Sequence, residues 1–512
     1  MKKTFAVLLC CAMLLTGCAG QDTPYVPTGD GLTWDEDYTG PTVETTRPEQ
    51  EQELLLTYYP EAGMNPYNCN DFTNRALFSL LYQGLFTADR DYQVEPILCK
   101  RFHVTEDLRT YTFYVENATF SNGQRLTAND VVASLLAAKE STYYGGRFLN
   151  VTEVALSPDG GVSVQLSTSY ENLPLLLDVP IVPAAQVQED RPAGTGPYRM
   201  ELTASGAALY RRTNWWCDAP LLITADVIPV MKAESATQIR DSFEFHDLSL
   251  VCADPGTDRY SDYRCDYELW DCENGIFMYL TTSKDSEVFS NEEVRKALTY
   301  AIDRDMIVEN YFRGFARSAS LPASPLSPYY SDALAARYEY AALRFPSAVQ
   351  NAGMEGKEIK FLVNSNDSLR VRVARKIAEE LEKAGLKVTM LEQNGQDYLY
   401  TLQSWTFDLY LGQTKLSPNM DLSAFYTTYG ELSCGGINDV AIYALCQQAL
   451  ENHGNYYTLY QTIMDSGRLC PILFRSYAIY ATRGLVTGLT PSRDNIFYYS
   501  LGKTMEQAQI SQ

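Results

Sequence analysis

The chain has 512 residues, and Asp and Glu outnumber Lys and Arg by 64 to 41, for a net charge of −23. That balance excludes a nucleic-acid binder, which needs a basic face against phosphates, and a protein docked on anionic lipid through a polybasic patch. With 46% hydrophobic and 21% charged residues, cores can be buried in about two to four units of roughly 100–200 residues each.

Lys2 and Lys3 precede an apolar run, Phe5 to Leu15, that is too short to span a bilayer and has the form of a secretory signal. The run ends in Leu15-Thr16-Gly17-Cys18. Residues 1–17 are therefore expected to be a signal peptide. Residues 18–52 are dense in Thr, Pro, Gly and acids, which predicts a disordered tether. No other stretch approaches the ~20 apolar residues of a membrane span.

Order is predicted from the strand Leu54–Tyr58. Asp71 then caps a helix that turns Phe72, Ala76, Leu77, Leu80 and Leu81 to one side. Tyr111, Phe113 and Val115 alternate as a strand over 110–116, and Thr127-x-x-Asp130 opens a helix carrying Val131, Leu135 and Ala138. Pro158-Asp159-Gly160-Gly161 turns a strand near Val154–Leu156 into another over Val162–Leu166. Ser290-x-x-Glu293 reads as a second capping box, ahead of Val294, Ala297, Leu298, Ala301 and Ile302. Ile359–Val363, a helix over 368–384 and Lys387–Leu391 form a βαβ unit, hence a parallel strand pair. The body is mixed α/β.

Chemistry is thinly represented. Three histidines, His103, His246 and His453, leave little for a metal site or a triad. There is no His-Glu-x-x-His, Gly-x-Ser-x-Gly, phosphate-binding loop or complete Gly-x-Gly-x-x-Gly. Gly194-Thr195-Gly196-Pro197 reads as a turn. Beyond Cys10, Cys11 and Cys18, nine cysteines remain without a Cys-x-x-Cys. Cys252, Cys265 and Cys272 could hold a disulfide or stay as free thiols. The expectation is no catalytic residue, no metal and no cofactor. Thirty-seven tyrosines hint at an aromatic contact surface.

Several segments together resemble the family 5 extracellular solute-binding proteins, the peptide- and nickel-type receptors of ABC importers. The most specific is Thr110–Val115 followed by Phe120-Ser121-Asn122-Gly123-Gln124-Arg125-Leu126-Thr127-Ala128-Asn129-Asp130-Val131. Asn65-Pro66, Leu81-Tyr82-Gln83-Gly84-Leu85, Glu95-Pro96-Ile97-Leu98, Gly194–Tyr198, and Val294–Leu298 with Ala301-Ile302-Asp303-Arg304 follow in the family's order. Leu15–Cys18 likewise resembles the bacterial lipoprotein signal, in which Cys18 is acylated.

The resemblance implies a two-lobed, periplasmic-binding-protein-like α/β fold of the large peptide-binding type, with a cleft between lobes joined by two crossings. Residues 53–273 and 476–512 would form lobe one and 274–475 lobe two. Arg295 would sit in a partly buried ion pair. Asn65, Tyr67, Tyr82, Trp405, Asp421, Phe425 and Tyr426 would line the cleft, with Asp421 pairing with a peptide's amino group. The implied function is a monomeric, lipid-anchored receptor facing the extracellular space or periplasm. It would capture a solute, best an oligopeptide, for ABC permease subunits, without enzymatic activity or nucleic acid, touching the membrane through its lipid alone. Few histidines count against nickel or haem as the ligand. The rival readings are a secreted lipoprotein hydrolase and a sensor or adhesin of the same fold.

Overall fold

Local capping chemistry sets the first helix. Asp71 Oδ1 accepts the backbone N–H groups of Thr73 and Asn74 at 3.0 and 3.3 Å, starting the helix Phe72–Leu81. Asp130 Oδ2 takes the N–H and hydroxyl of Thr127 at 2.9 and 2.6 Å, where the helix Ala128–Glu140 begins. The third predicted cap moves by one residue. Ser290 ends a short helix, Glu287–Ser290, and Asn291 caps Glu292–Ala297 by accepting the N–H of Val294 at 3.1 Å. Among the described residues Arg295 makes no ion pair: it donates to the carbonyls of Ser466, Phe289 and Ser290.

The computed structural model describes residues 53–204, 206–256, 263–428, 430–493, 495–503 and 509–511. The expected signal, Cys18 and the tether lie outside them. One body holds a four-stranded sheet ordered Leu56–Tyr58, Val227–Lys232, Gly206–Arg211, Tyr198–Thr203. It also holds a five-stranded sheet ordered Gln509–Ser511, Cys99–Thr105, Thr110–Val115, Val162–Leu166, Val151–Leu156. Its core gathers Leu77, Phe86, Phe113, Val131, Leu135 and Val164, all nearly inaccessible, together with Tyr477, Ile479 and Phe497 from the far end of the chain. The other body packs Ile359, Phe361, Val363, Leu381, Leu409 and Ile472 around the predicted βαβ unit. There Glu358–Asn364 runs parallel to Lys387–Gln393, Glu358 facing Lys387, across the helix Ser368–Lys383.

Two long strands join the bodies. Glu268–Thr282 and Leu469–Ala481 pair antiparallel, each with one half in either body. Their ladder lapses once between the bodies. Glu273 faces Ser476 and Phe277 faces Phe474, so Asn274, Gly275 and Ile276 stand against Arg475 alone. This is a two-lobed α/β fold with two crossings.

The Gly194–Gly196 turn has a tertiary reason. A Cβ at Gly194 would lie 1.9 Å from the Leu81 carbonyl oxygen, and one at Gly196 would lie 2.5 Å from that of Leu80. The loop therefore seats its backbone on the end of the first helix, and the Gly196 N–H bonds the Leu81 carbonyl at 3.0 Å. Gly194→Ala will lower stability by about 1–3 kcal/mol, because backbone must shift to admit the methyl. Thermal melting checks this, and an unchanged midpoint would show that the loop can relax.

Among the described residues no cysteine is joined in a disulfide, Cys252, Cys265 and Cys272 included. Burial pushes the Cys99 thiol up to about 12 and the Cys434 thiol up to about 11. Tyr111, Tyr144, Tyr198, Tyr279, Tyr426, Tyr456, Tyr460 and Tyr480 are almost fully enclosed. Much of the tyrosine abundance thus fills cores, where the sequence suggested a contact surface.

Candidate functional site between the lobes

The predicted cleft residues divide into three groups. Asn65, Tyr67 and Tyr82 lie buried in the first body. Asn65 Nδ2 donates to the carbonyls of Val187 and Glu189 at 3.0 and 2.6 Å, and its Oδ1 accepts the Tyr67 N–H at 2.9 Å. The Tyr67 hydroxyl donates to the Pro180 carbonyl at 2.8 Å, and that of Tyr82 to Pro192 at 3.2 Å. Burial raises both phenols well above the ordinary range. Their polar atoms hold loops of their own body together.

Phe425 and Tyr426 belong to a buried aromatic cluster of the second body, Phe425 lying edge-on to Tyr279 with centroids 5.0 Å apart. Trp405 follows the helix Gly395–Gln403 in a left-handed conformation, φ 52°. The Thr406 N–H reaches back to the Thr401 carbonyl at 3.2 Å, the closure of a helix C-terminus in which glycine is usual. The Trp405 indole lies under Lys284 Nζ, 4.8 Å from the ring centroid.

Asp421 alone of the seven reaches the boundary between lobes. Its Oδ1 accepts the Ser423 N–H at 2.8 Å and the Ser423 hydroxyl at 2.6 Å, and its Oδ2 accepts Asn150 Nδ2 of the other lobe at 3.3 Å. Burial raises its carboxyl above the usual range, and these donors offset part of that. Around it the lobes touch directly. The Thr168 hydroxyl bonds Gln447 Oε1, and His453 Nδ1 meets Glu171 Oε1 at 2.8 Å. Lys415 Nζ stands 3.7 Å from the Tyr143 ring centroid.

Beside this contact lies a crevice with a cavity volume of about 40 Å³. Arg90, Tyr92, Arg147, Asp178, Asp271, Glu273, Arg317 and Pro418 line it, with Arg493 from the returning C-terminal segment. Glu273 accepts the Tyr92 hydroxyl at 3.1 Å and the Ser324 hydroxyl. Burial pushes its carboxyl up, against the pull of its two hydroxyl donors and of Arg493 and Arg317. Arg317 Nη2 pairs with Asp271 at 2.7 Å, and Arg147 Nη1 donates to the Asp178 carbonyl at 2.9 Å.

Sequence reasoning missed Glu273, Arg317 and Arg493, which lie far apart in the chain and share no motif. Among the described residues, no group of three or more His, Cys, Asp or Glu is placed to hold a metal ion. What the crevice offers is charge and hydrogen bonding where two bodies meet. That arrangement suits reversible enclosure of a polar solute.

Comparison with known proteins gives this geometry relatives. The profile described as "Bacterial extracellular solute-binding proteins, family 5 Middle" matches residues 93–434, well over half of the chain. Protein XP55 of Streptomyces lividans is 26% identical over 400 residues, covering 72% of this chain and 71% of its own. The oligopeptide-binding protein AppA of Bacillus subtilis is 22% identical over 401 residues, with coverages of 71% and 73%. The AppA structure in complex with a nonapeptide matches with a TM-score of 0.60 at 19% identity, over 88% of this chain and 99% of that one. The ABC transporter substrate binding protein CtaP from Listeria monocytogenes matches with a TM-score of 0.71 at 17% identity, over 88% and 98%. At these identities the structures speak for the fold.

Proposed function

Because this chain belongs to the bacterial extracellular solute-binding proteins of family 5, we propose that it is the lipid-anchored receptor of an ABC importer. It captures an oligopeptide between its lobes and presents the closed complex to the permease. The observation that carries this reading is the polar crevice at the lobe boundary, lined by Tyr92, Arg147, Glu273 and Arg317. A peptide's main chain supplies donors and acceptors at regular spacing, which charged and backbone groups of two lobes satisfy whatever the side chains. AppA, named as an oligopeptide-binding protein, lends support. Binding alone accounts for this role, and no reaction is assigned. Cys18 is the proposed acylation site, and the protein works as a monomer.

Native mass spectrometry of the protein purified from its own host tests the ligand. The expected spectrum carries adducts with the masses of short peptides, and a bound species of any other class would displace the peptide reading. The anchor has a separate test. Cys18→Ala will move the protein from the membrane fraction to a soluble or uncleaved form, and membrane retention of a correctly cleaved Cys18→Ala protein would refute it.

A further inference from the structure

The first lobe carries a second cavity that shares no lining residue with the crevice. Its volume is about 760 Å³, within the roughly 300–1,000 Å³ usual for a small-molecule site. Tyr59, Phe72 and Tyr477 bring aromatic rings to its wall, and Glu61, Asp71 and Asp254 bring carboxylates. Phe72 opens the first helix and Tyr477 belongs to one of the two long strands, and their rings stack with centroids 3.6 Å apart. No Lys, Arg or His stands among the described lining residues.

The three carboxylates differ in what holds them. Asp71 Oδ1 caps the first helix. Asp254 Oδ1 accepts Arg475 Nη2 at 2.6 Å and the Gly256 N–H at 2.9 Å. Glu61 is exposed and, among the described residues, makes no hydrogen bond or ion pair. One full negative charge at the rim thus goes unanswered, in a chain whose net charge is already −23.

We propose that this cavity is a second binding site, for a small organic cation with an apolar body. Ring and carboxylate select the same ligand. An aromatic face attracts an ammonium group through its quadrupole and accepts apolar carbon by contact, while Glu61 supplies the counter-charge. A bare metal ion fits poorly, since among the described residues no three His, Cys, Asp or Glu side chains are grouped to ligate one. An anion would face three carboxylates with no cationic side chain beside it on the described wall.

The test is titration calorimetry on the mature protein at neutral pH with phenethylamine, phenylpropionate and phenethyl alcohol, which share a ring and differ in charge. Phenethylamine is expected to bind at least tenfold more tightly than either of the others. Glu61→Gln, a change at the surface, should weaken the amine at least threefold. Phe72→Leu, which keeps an apolar side chain but no ring, should weaken it at least fivefold. Thermal melting checks that each variant is folded, and if Phe72→Leu is not, Glu61→Gln decides alone. Equal binding of the three probes, no binding of the amine at millimolar concentration, or undiminished affinity for it in a folded variant would overturn the proposal. Each of these results leaves the function proposed for the crevice untouched.

Discussion

Replacing Arg304 by methionine will cost the protein more than about 4 kcal/mol, read as a large fall in the urea midpoint of the second lobe. Arg304 is buried and, among the described residues, has no carboxylate partner. Its three nitrogens reach the carbonyls of Ala319, Pro471, Thr299, Ile302 and Tyr338, the Thr299 hydroxyl and the Cys470 sulfur. These carbonyls come from four separate stretches of chain, so the guanidinium ties them at one point. Methionine fills much the same volume but donates nothing. Each acceptor left buried without a donor costs about 1–3 kcal/mol, and several are orphaned at once. Arg304→Lys will rescue only a minor part, because an ammonium cannot spread its donors over so wide a fan. A midpoint within experimental scatter of the parent would show that solvent or rotated carbonyls replace the arginine cheaply.

The second large effect concerns the lobe contact. Removing it with Asn150→Ala, Thr168→Ala and Glu171→Ala together will shift the protein toward an open form, and small-angle X-ray scattering will record a larger radius of gyration without ligand. Each hydrogen bond contributes about 0.5–1.5 kcal/mol, so the three change the open-to-closed ratio by at least about tenfold. Acid will act in the same direction. Burial lowers the pKa of His453 below its ordinary value and outweighs the raising influence of Glu171, while the Tyr329 and Tyr456 rings complete its surroundings. Its Nε2 is enclosed without a partner, so a proton added there would have no acceptor. For a histidine whose pKa is depressed on closure, the stabilisation is full above its ordinary value near ~6.5 and is lost as pH falls through the lowered one. The parent protein should therefore begin to open as pH falls below ~6.5, and His453→Gln should respond far less. An expansion of equal size in His453→Gln would assign the effect to other groups.

What could be read from the sequence was the part decided by near neighbours in the chain. Asp71 and the Thr127–Asp130 pair announce helix starts because a short side chain can reach only the N–H groups that follow it. The alternation of Ile359, Phe361 and Val363 betrays a strand because one face of it is buried. Ser290 misled because it and Asn291 are both able caps. The choice falls to Asn291, since Ser286 already starts the turn that Ser290 ends. Arg295 offered charge and partial burial, which suggest a carboxylate, yet carbonyls of two segments met its needs. The glycines of 194–196 marked a bend, but the pressure of the Leu80 and Leu81 carbonyls on them exists only after folding. The crevice was least visible of all. Tyr92, Glu273, Arg317 and Arg493 meet through the packing of two bodies, and none carries a local signature of that meeting.

The lapse in pairing between the two long connecting strands bears on how the lobes move. Two struts lying side by side and bonded into one ribbon resist shear and twist, yet a ribbon flexes easily across its thickness. Here the flexible point is marked by Asn274, Gly275 and Ile276 standing opposite Arg475. Arg475 is itself gripped from both sides, by Asp254 at 2.6 Å and by Gln413 at 3.2 Å. It anchors the ribbon at the lapse. The contacts of Asn150 with Asp421 and of Glu171 with His453 lie across the boundary that this ribbon bridges.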